Sequence, residues 1–230
     1  MSMNIAIDGP AGAGKSTIAK LVAKKKGYIY VDTGAMYRAM ALYLHRIGID
    51  PSEVEGDDPE KAAKTKECIG ESCKEPDISI EYENGEQIVI LNGENVNGLI
   101  RSEEVSRMAS VSSAHPLVRE RLVELQQKLA AKADVVMDGR DIGTVVLPNA
   151  PVKVYLTASV EERARRRYEE QKAKGVDCDL ETIKADIAER DHRDMTRETS
   201  PLKQAEDAVL IDSSDMTIEE VAEKILSLIP

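Results

Sequence analysis

Gly9-Pro10-Ala11-Gly12-Ala13-Gly14-Lys15-Ser16-Thr17 follows directly on the mainly apolar run Met3-Asn4-Ile5-Ala6-Ile7. Glycines let a backbone turn tightly and approach a ligand closely, because no Cβ intervenes. If a helix opens at Lys15, its first N–H groups lack intrahelical partners and are free to bind an anion. Gly9, Gly14, Lys15 and Ser16 stand at the spacing G-x-x-x-x-G-K-[ST] of a phosphate-binding loop. In that reading Lys15, expected to be a solvent-exposed loop residue, reaches the β- and γ-phosphates of a nucleotide. The Ser16 hydroxyl ligates Mg²⁺. The loop needs a strand before it and a helix after it. Ile5 and Ile7 supply the first, and Ile18, Leu21 and Val22 the apolar face of the second. The bland alternative is a plain glycine turn between a strand and a helix. The motif implies a nucleoside triphosphate and leaves the reaction open.

The rest of the composition narrows the class. The chain has 230 residues and is 42% hydrophobic, enough for a sizeable core, yet it holds no Phe and no Trp. Aliphatic side chains, Met and Ala must therefore fill the interior. A net charge of -11 argues against nucleic acid polymers or anionic membranes as partners. Nucleotide binding then needs a local basic cluster in an acidic field. No stretch has the length of a transmembrane helix, and the start lacks the pattern of a signal peptide. A cytoplasmic location is expected. Cys68, Cys73 and Cys178 are odd in number and lack metal-ligand spacing, so reduced structural thiols are expected.

Strands and helices alternate along the chain. Tyr28-Ile29-Tyr30-Val31 reads as a buried strand, followed by Asp32-Thr33-Gly34 and a helix from Ala35 to Ile47. Pro51 to Asp58 reads as a break. Ile78 to Tyr82 alternates, Asn84-Gly85 is a hairpin signal, and Ile88 to Leu91 pairs back. Residues from about 60 to 98 thus read as a small antiparallel insert, although Glu67 to Pro76 shows no clean period. Ser102 opens another helix, and Pro116 to Ala133 is a long amphipathic one. Ala133 to Met137 is a buried strand ending in Asp138-Gly139-Arg140-Asp141. Val152 to Leu156 and Val209 to Ile211 are further strands. Glu161 to Lys174 and Asp179 to Arg197 are highly charged helices, and Thr217 to Leu228 is the last helix. A parallel sheet covered by helices is the economical architecture. Ligands of such sheets bind beyond the carboxyl ends of the strands. The phosphate loop, Asp32-Thr33-Gly34 and Asp138-Gly139-Arg140-Asp141 all follow strands.

Arginine is concentrated in two places. Arg163, Arg165, Arg166 and Arg167 form one run, and Arg190, Arg193 and Arg197 recur at helical spacing as one face. A solvated, salt-bridged surface is the bland reading, and it stays open for Arg165 and Arg166. For Arg190 and Arg197 a phosphate partner is the better reading. Stabilising charge is most of phosphoryl-transfer catalysis, and arginine offers fixed charge and forked donors. Gly175 makes a turn between the two charged helices, as in a lid that excludes water.

Taken together, Ile7-Asp8-Gly9-Pro10, Asp32-Thr33-Gly34-Ala35-Met36-Tyr37-Arg38, Asp138 to Val146, Glu189 to Asp194 and Ser200-Pro201-Leu202 make the sequence similar to the bacterial cytidylate kinases. The resemblance runs from Ile5 to about Ile225. It implies the nucleoside monophosphate kinase fold: a single P-loop domain over 1–230, an acceptor-binding region at 33–100 and a basic helical lid at 157–198. It also implies a reaction, the Mg²⁺-assisted transfer of phosphate from ATP to CMP or dCMP. A monomer is expected. Gly9, Pro10, Ala11, Gly12, Ala13, Gly14, Lys15, Ser16 and Thr17 would bind ATP. Arg38 and Arg140 would hold the acceptor phosphate. Thr33, which stands where some relatives carry Ser, would surround the cytosine with Arg119, Asp141 and Arg197. Ser110, Arg190 and Asp194 would meet the ribose, and Lys15, Arg140 and Arg190 would be catalytic. Two rivals stay open at this level. One is a kinase for another monophosphate or small metabolite, the other a nucleotide-sensing module. The chain lacks N-K-x-D and D-x-x-G, which speaks against a switch GTPase.

Overall fold

The computed structural model describes residues 3–83 and 85–230. They form two compact units. One combines residues up to Val31 with Lys132–Pro230, and the other is Asp32–Ala131.

The first unit is built on a five-stranded sheet. Its strands are β1 (Asn4–Asp8), β2 (Ile29–Asp32, whose last residue begins the second unit), β6 (Val135–Gly139), β7 (Val152–Thr157) and β8 (Val209–Asp212). Their order is β2-β6-β1-β7-β8, and β1 pairs in parallel with both β6 and β7. Ile5, Ile7, Val136, Val154, Leu156 and Ile211 are buried, as expected of strands covered on both faces. Register matters most at the strand ends. Asp8 is opposite Gly139, so the loops after β1 and β6 leave the sheet at the same level, side by side.

Helix α1 (Lys15–Lys26) packs Ile18, Ala19, Val22 and Ala23 onto the sheet. Lys24, Lys25 and Lys26 fall in its last turn, where cations oppose the helix dipole, and Gly27 caps it at φ 71°. Helix α9 (Ile218–Leu226) covers the same core and opens with a reciprocal capping box between Thr217 and Glu220. Helices α7 (Val160–Ala173) and α8 (Leu180–Thr196) share a small core of Ala164, Ile183 and Ile187.

The second unit begins with α2 (Thr33–Arg46), N-capped by Asp32, whose Oδ1 accepts from the Ala35 amide. A one-turn helix α3 (Ser52–Glu55) lies in the stretch read as a break. Three strands, β3 (Ile78–Glu83), β4 (Glu86–Leu91) and β5 (Glu94–Asn95), form the antiparallel sheet. Asn84 of the expected hairpin turn lies outside the described residues. Helices α5 (Glu103–Ser112) and α6 (Pro116–Ala130) complete the unit. Contrary to the insert's expected strand character, Pro59–Ser72 is a helix, α4, started by Asp58 and Pro59. Only Thr65, Ile69 and Gly70 of it are buried, so it carries almost no apolar stripe to read. Cys68, Cys73 and Cys178 are free thiols. Among the described residues no helix is long and apolar enough to cross a membrane.

Candidate active site

The loop between β1 and α1 is shaped by close approach. Gly9 has φ 150°, and a Cβ there would lie 1.9 Å from the Leu156 carbonyl oxygen of β7. Gly12 and Gly14 adopt φ 78° and 85°, left-handed values that let the chain wrap back into the helix start. Lys15 is not the exposed residue its loop position implies: it is only 5% exposed. Its Nζ donates to the Pro10 carbonyl at 2.7 Å. Burial, then the nearby Arg140, push its pKa well below the ordinary lysine value, while Asp138 and Asp8 oppose that shift.

Asp138 ends the apolar part of β6 and is 5% exposed. Its Oδ2 accepts from the Ser16 hydroxyl at 2.9 Å and its Oδ1 from the Tyr30 hydroxyl at 2.8 Å. Serine hydroxyl and carboxylate are hard oxygen donors of the kind Mg²⁺ prefers, and a strand-end aspartate beside the loop serine matches the usual P-loop metal pair. Asp138 was not singled out as a ligand in the sequence, although an apolar strand ending in Asp was its signal.

Asp8 is a second site residue that the sequence left unassigned. Its two carboxylate oxygens accept from the Ile142 and Gly143 amides, each at 2.7 Å. Those amides open a five-residue π-helix, Ile142–Val146, directly after Arg140 and Asp141. Asp8 therefore braces the loop carrying both residues. Burial outweighs the two amide bonds and raises its pKa from 3.8 to about 6, with Asp141 adding to the rise. A carboxyl with a raised folded pKa binds its proton more tightly when folded, so its stabilisation is present at low pH and lost as pH rises through about 6. From pH 3.8 to about 6, wild-type stability relative to Asp8→Asn should fall by about 2 kcal/mol. Urea unfolding of both proteins across that range checks it. A flat difference would remove Asp8 as the titrating group.

Beyond β6, four of the expected substrate residues form one chain of ionic contacts. Arg140 Nε donates to Asp194 Oδ2 at 2.8 Å. Arg197 Nη1 lies 3.9 Å from Asp194 Oδ1, and Arg197 Nη2 lies 4.0 Å from Asp141 Oδ1. Arg197 Nε also donates to the Ser200 carbonyl at 2.8 Å. Burial alone would raise the Asp194 carboxyl, but the charge and hydrogen bond of Arg140, with Arg190 and Arg197, hold it below its ordinary range. Arg190 is half-buried on α8 and close enough to Lys15 to depress its pKa. Arg193 leaves the expected shared face: it is exposed and pairs with Glu189 of its own helix. Arg165 is likewise a surface residue held by Glu162 and Glu169. Arg166 instead reaches the Ser213 carbonyl at 2.7 Å. Its Nη1 is the nearest group to the Gly14 side of the loop, 4.0 Å from where a Cβ would stand.

In the second unit, Thr33 is the buried first residue of α2, and Arg38 is one turn on. Arg38 Nη1 would lie 3.5 Å from a Cβ at Gly34, so its guanidinium folds back to the helix start. Gln87 of β4 brackets that start as well: its Oε1 accepts from the Asp32 amide at 2.8 Å and its Nε2 donates to the Asp32 carbonyl at 3.3 Å. Arg119 is 3% exposed, donates to the Ser113 carbonyl at 3.1 Å and stacks on Tyr37 at 5.4 Å. Ser110 is half-buried on α5. Of the histidines, His115 is a helix cap, its Nδ1 accepting from the Leu117 amide, and His192 is exposed.

A glycine loop that opens a helix after one strand, with an aspartate closing the neighbouring parallel strand against the loop serine, is the arrangement of the P-loop kinases. A family model described as cytidylate kinase matches residues 5–230. The chain belongs to that family. It is 51% identical over 226 residues to a cytidylate kinase of Caldicellulosiruptor bescii, covering 98% of this chain and 95% of the relative. It is 51% identical over 227 residues to a cytidylate kinase of Bacillus subtilis, covering 99% and 96%. Among solved structures, an uncharacterized protein from Eubacterium ventriosum superposes with a TM-score of 0.54 at 14% identity, covering 100% of this chain and 98% of the other. That likeness concerns the fold alone.

Proposed function

We infer that this protein is an ATP-dependent (d)CMP kinase, converting CMP and dCMP to the diphosphates with release of ADP. Family membership favours neither another acceptor nor a sensing module. The observation that carries the site reading is the ionic chain Arg140–Asp194–Arg197–Asp141, which begins in the loop directly beside the phosphate loop. In this reading Gly9 to Thr17 bind ATP, and Ser16 with Asp138 hold Mg²⁺. Bound there, Mg²⁺ would supply neutralisation of the phosphate charge. Arg38 and Arg140 hold the acceptor phosphate. Ser110, Arg190 and Asp194 meet the ribose, and Thr33, Arg119, Asp141 and Arg197 surround the base. The acceptor needs no general base, because its second phosphate pKa of about 6 leaves it ionised near neutrality. Residues 33–100 serve acceptor binding, and 157–198 act as a lid that excludes water during transfer.

Base choice tests this reading directly. A carboxylate only accepts hydrogen bonds. Asp141 can accept a hydrogen bond from the N4 amino group of cytosine, but it meets the O4 of uracil as acceptor facing acceptor. A buried hydrogen-bonding group left without its bond costs roughly 1–3 kcal/mol, so CMP should be preferred to UMP by about tenfold to several hundredfold. Arg119 and Arg197 donate to the base O2 and N3, and N3 accepts only in cytosine. The measurement is kcat/KM for CMP, dCMP and UMP in wild type and Asp141→Ala. The variant should lose CMP turnover and narrow the gap to UMP. A wild type indifferent between the bases would sink the assignment, as would an equal loss for both in the variant.

A further inference from the structure

One buried arginine serves neither the ionic chain described above nor the solvated face of α7. Arg163 is 4% exposed, and all three kinds of nitrogen in its guanidinium are engaged. Nε donates to the Ala158 carbonyl, where β7 passes into α7, at 2.9 Å. Nη1 donates to the Ala11 carbonyl of the phosphate loop at 2.9 Å. Nη2 pairs with Asp191 Oδ2 of α8 at 2.7 Å. The loop also rests on the stem of this side chain, since a Cβ at Gly12 would lie 3.4 Å from Arg163 Cβ.

We propose that Arg163 is a positioning residue that sets the conformation of the phosphate loop, and that Asp191 holds it in place for that task. The argument is geometric. A trans peptide points its C=O and N–H in opposite directions. Holding the Ala11 carbonyl toward Arg163 therefore turns the Gly12 N–H away from it. Phosphate loops bind through such amides, so one fixed carbonyl presets one phosphate donor. Lys15 acts in the same sense one peptide earlier, where its bond to the Pro10 carbonyl directs the Ala11 N–H. Gly12, at φ 78°, cannot fix its own orientation as a bulkier residue would, and an outside anchor supplies what the glycine gives up. A lysine could not replace the guanidinium. It has charge, but not a planar fork reaching three elements at set angles. Asp191 completes the anchor. Its other oxygen, Oδ1, is buried and has no hydrogen-bond partner among the described residues, so the carboxylate's hydrogen bonding goes to Arg163.

This inference rests on the reading of the loop as the ATP site, and the experiment separates the two. ATP and CMP are titrated separately by calorimetry, with Mg²⁺ present, into wild type, Arg163→Lys, Asp191→Ala and the core control Ile211→Val. Circular dichroism and thermal melts establish that each is folded. If wild type fails to bind ATP, the functional reading itself is wrong. With wild type binding, Arg163→Lys should weaken ATP by roughly tenfold or more and CMP by less than about threefold, the scale set by a misplaced charge-assisted donor. Asp191→Ala should weaken ATP in the same direction, and Ile211→Val should alter neither affinity beyond its effect on the melt. Unchanged ATP affinity in folded Arg163→Lys would overturn the proposal, and so would equal losses for ATP and CMP. If Arg163→Lys does not fold, Asp191→Ala decides on the same criterion.

Discussion

Lys15→Met should give a folded protein whose kcat is lower by roughly 10²- to 10³-fold, the loss typical of removing one preorganised charge-stabilising donor. Folding should survive because methionine keeps the buried aliphatic stem and removes an ammonium group that burial already disfavours. What is lost, in the proposed reading, is the cation nearest the transferred phosphoryl group, together with the bond to the Pro10 carbonyl. That second loss should show separately, as a modest weakening of ATP binding. Steady-state kinetics at saturating ATP, with a thermal melt alongside, measure both. A folded variant turning over near the wild-type rate would mean that the loop does not serve the reaction.

Arg140→Ala is expected to raise KM for CMP by roughly tenfold to a hundredfold, since a hydrogen bond to a charged group is worth about 1.5–3 kcal/mol. Its effect on ATP affinity should stay within about threefold. The side chain sits at the head of the ionic chain, 19% exposed, with Asp194 as its partner. Truncation therefore removes the proposed phosphate ligand and leaves Asp194 with Arg190 and with Arg197, 3.9 Å away. Arg140→Lys keeps the charge without the fork and should fall between the two. Separate titrations of an ATP analogue and CMP decide the matter. Equal losses for both nucleotides would assign Arg140 to folding of the rim instead of to the acceptor.

The sequence disclosed features carried by local chemistry. The phosphate loop is legible because glycine and lysine occupy fixed offsets, and the strands because Ile5, Ile7, Val135 and Val136 form runs too short and too branched for helices. Asp141, Arg140, Asp194 and Arg197 were singled out as substrate residues, and the structure joins them by contacts. Other features depend on distance in the chain. Arg163 stands in a run of arginines for which a solvated surface is the bland reading, yet its neighbour Arg165 is exposed while it is buried. Only the meeting of α7, α8 and the loop distinguishes them. Asp8 is silent for the same reason, because its partners, the Ile142 and Gly143 amides, lie far along the chain and carry no side-chain signature. Helix α4 was missed because its stability comes from caps and charge, with few apolar contacts to set a period.

The approach of Gly9 to Leu156 bears on how this chain can vary over evolutionary time. Every other amino acid brings a side-chain carbon at the Cβ position, and here that carbon would fall 1.9 Å from a backbone oxygen. A clash between two side chains can be relieved by trimming one of them, so that a second substitution rescues the first. At this position the neighbour is the peptide of β7 itself, and no change of residue type at Leu156 removes it. The position is therefore closed to compensated drift. A lineage that lost this glycine would have to move a strand of the central sheet, and with it the base of α7, before the loop could form again.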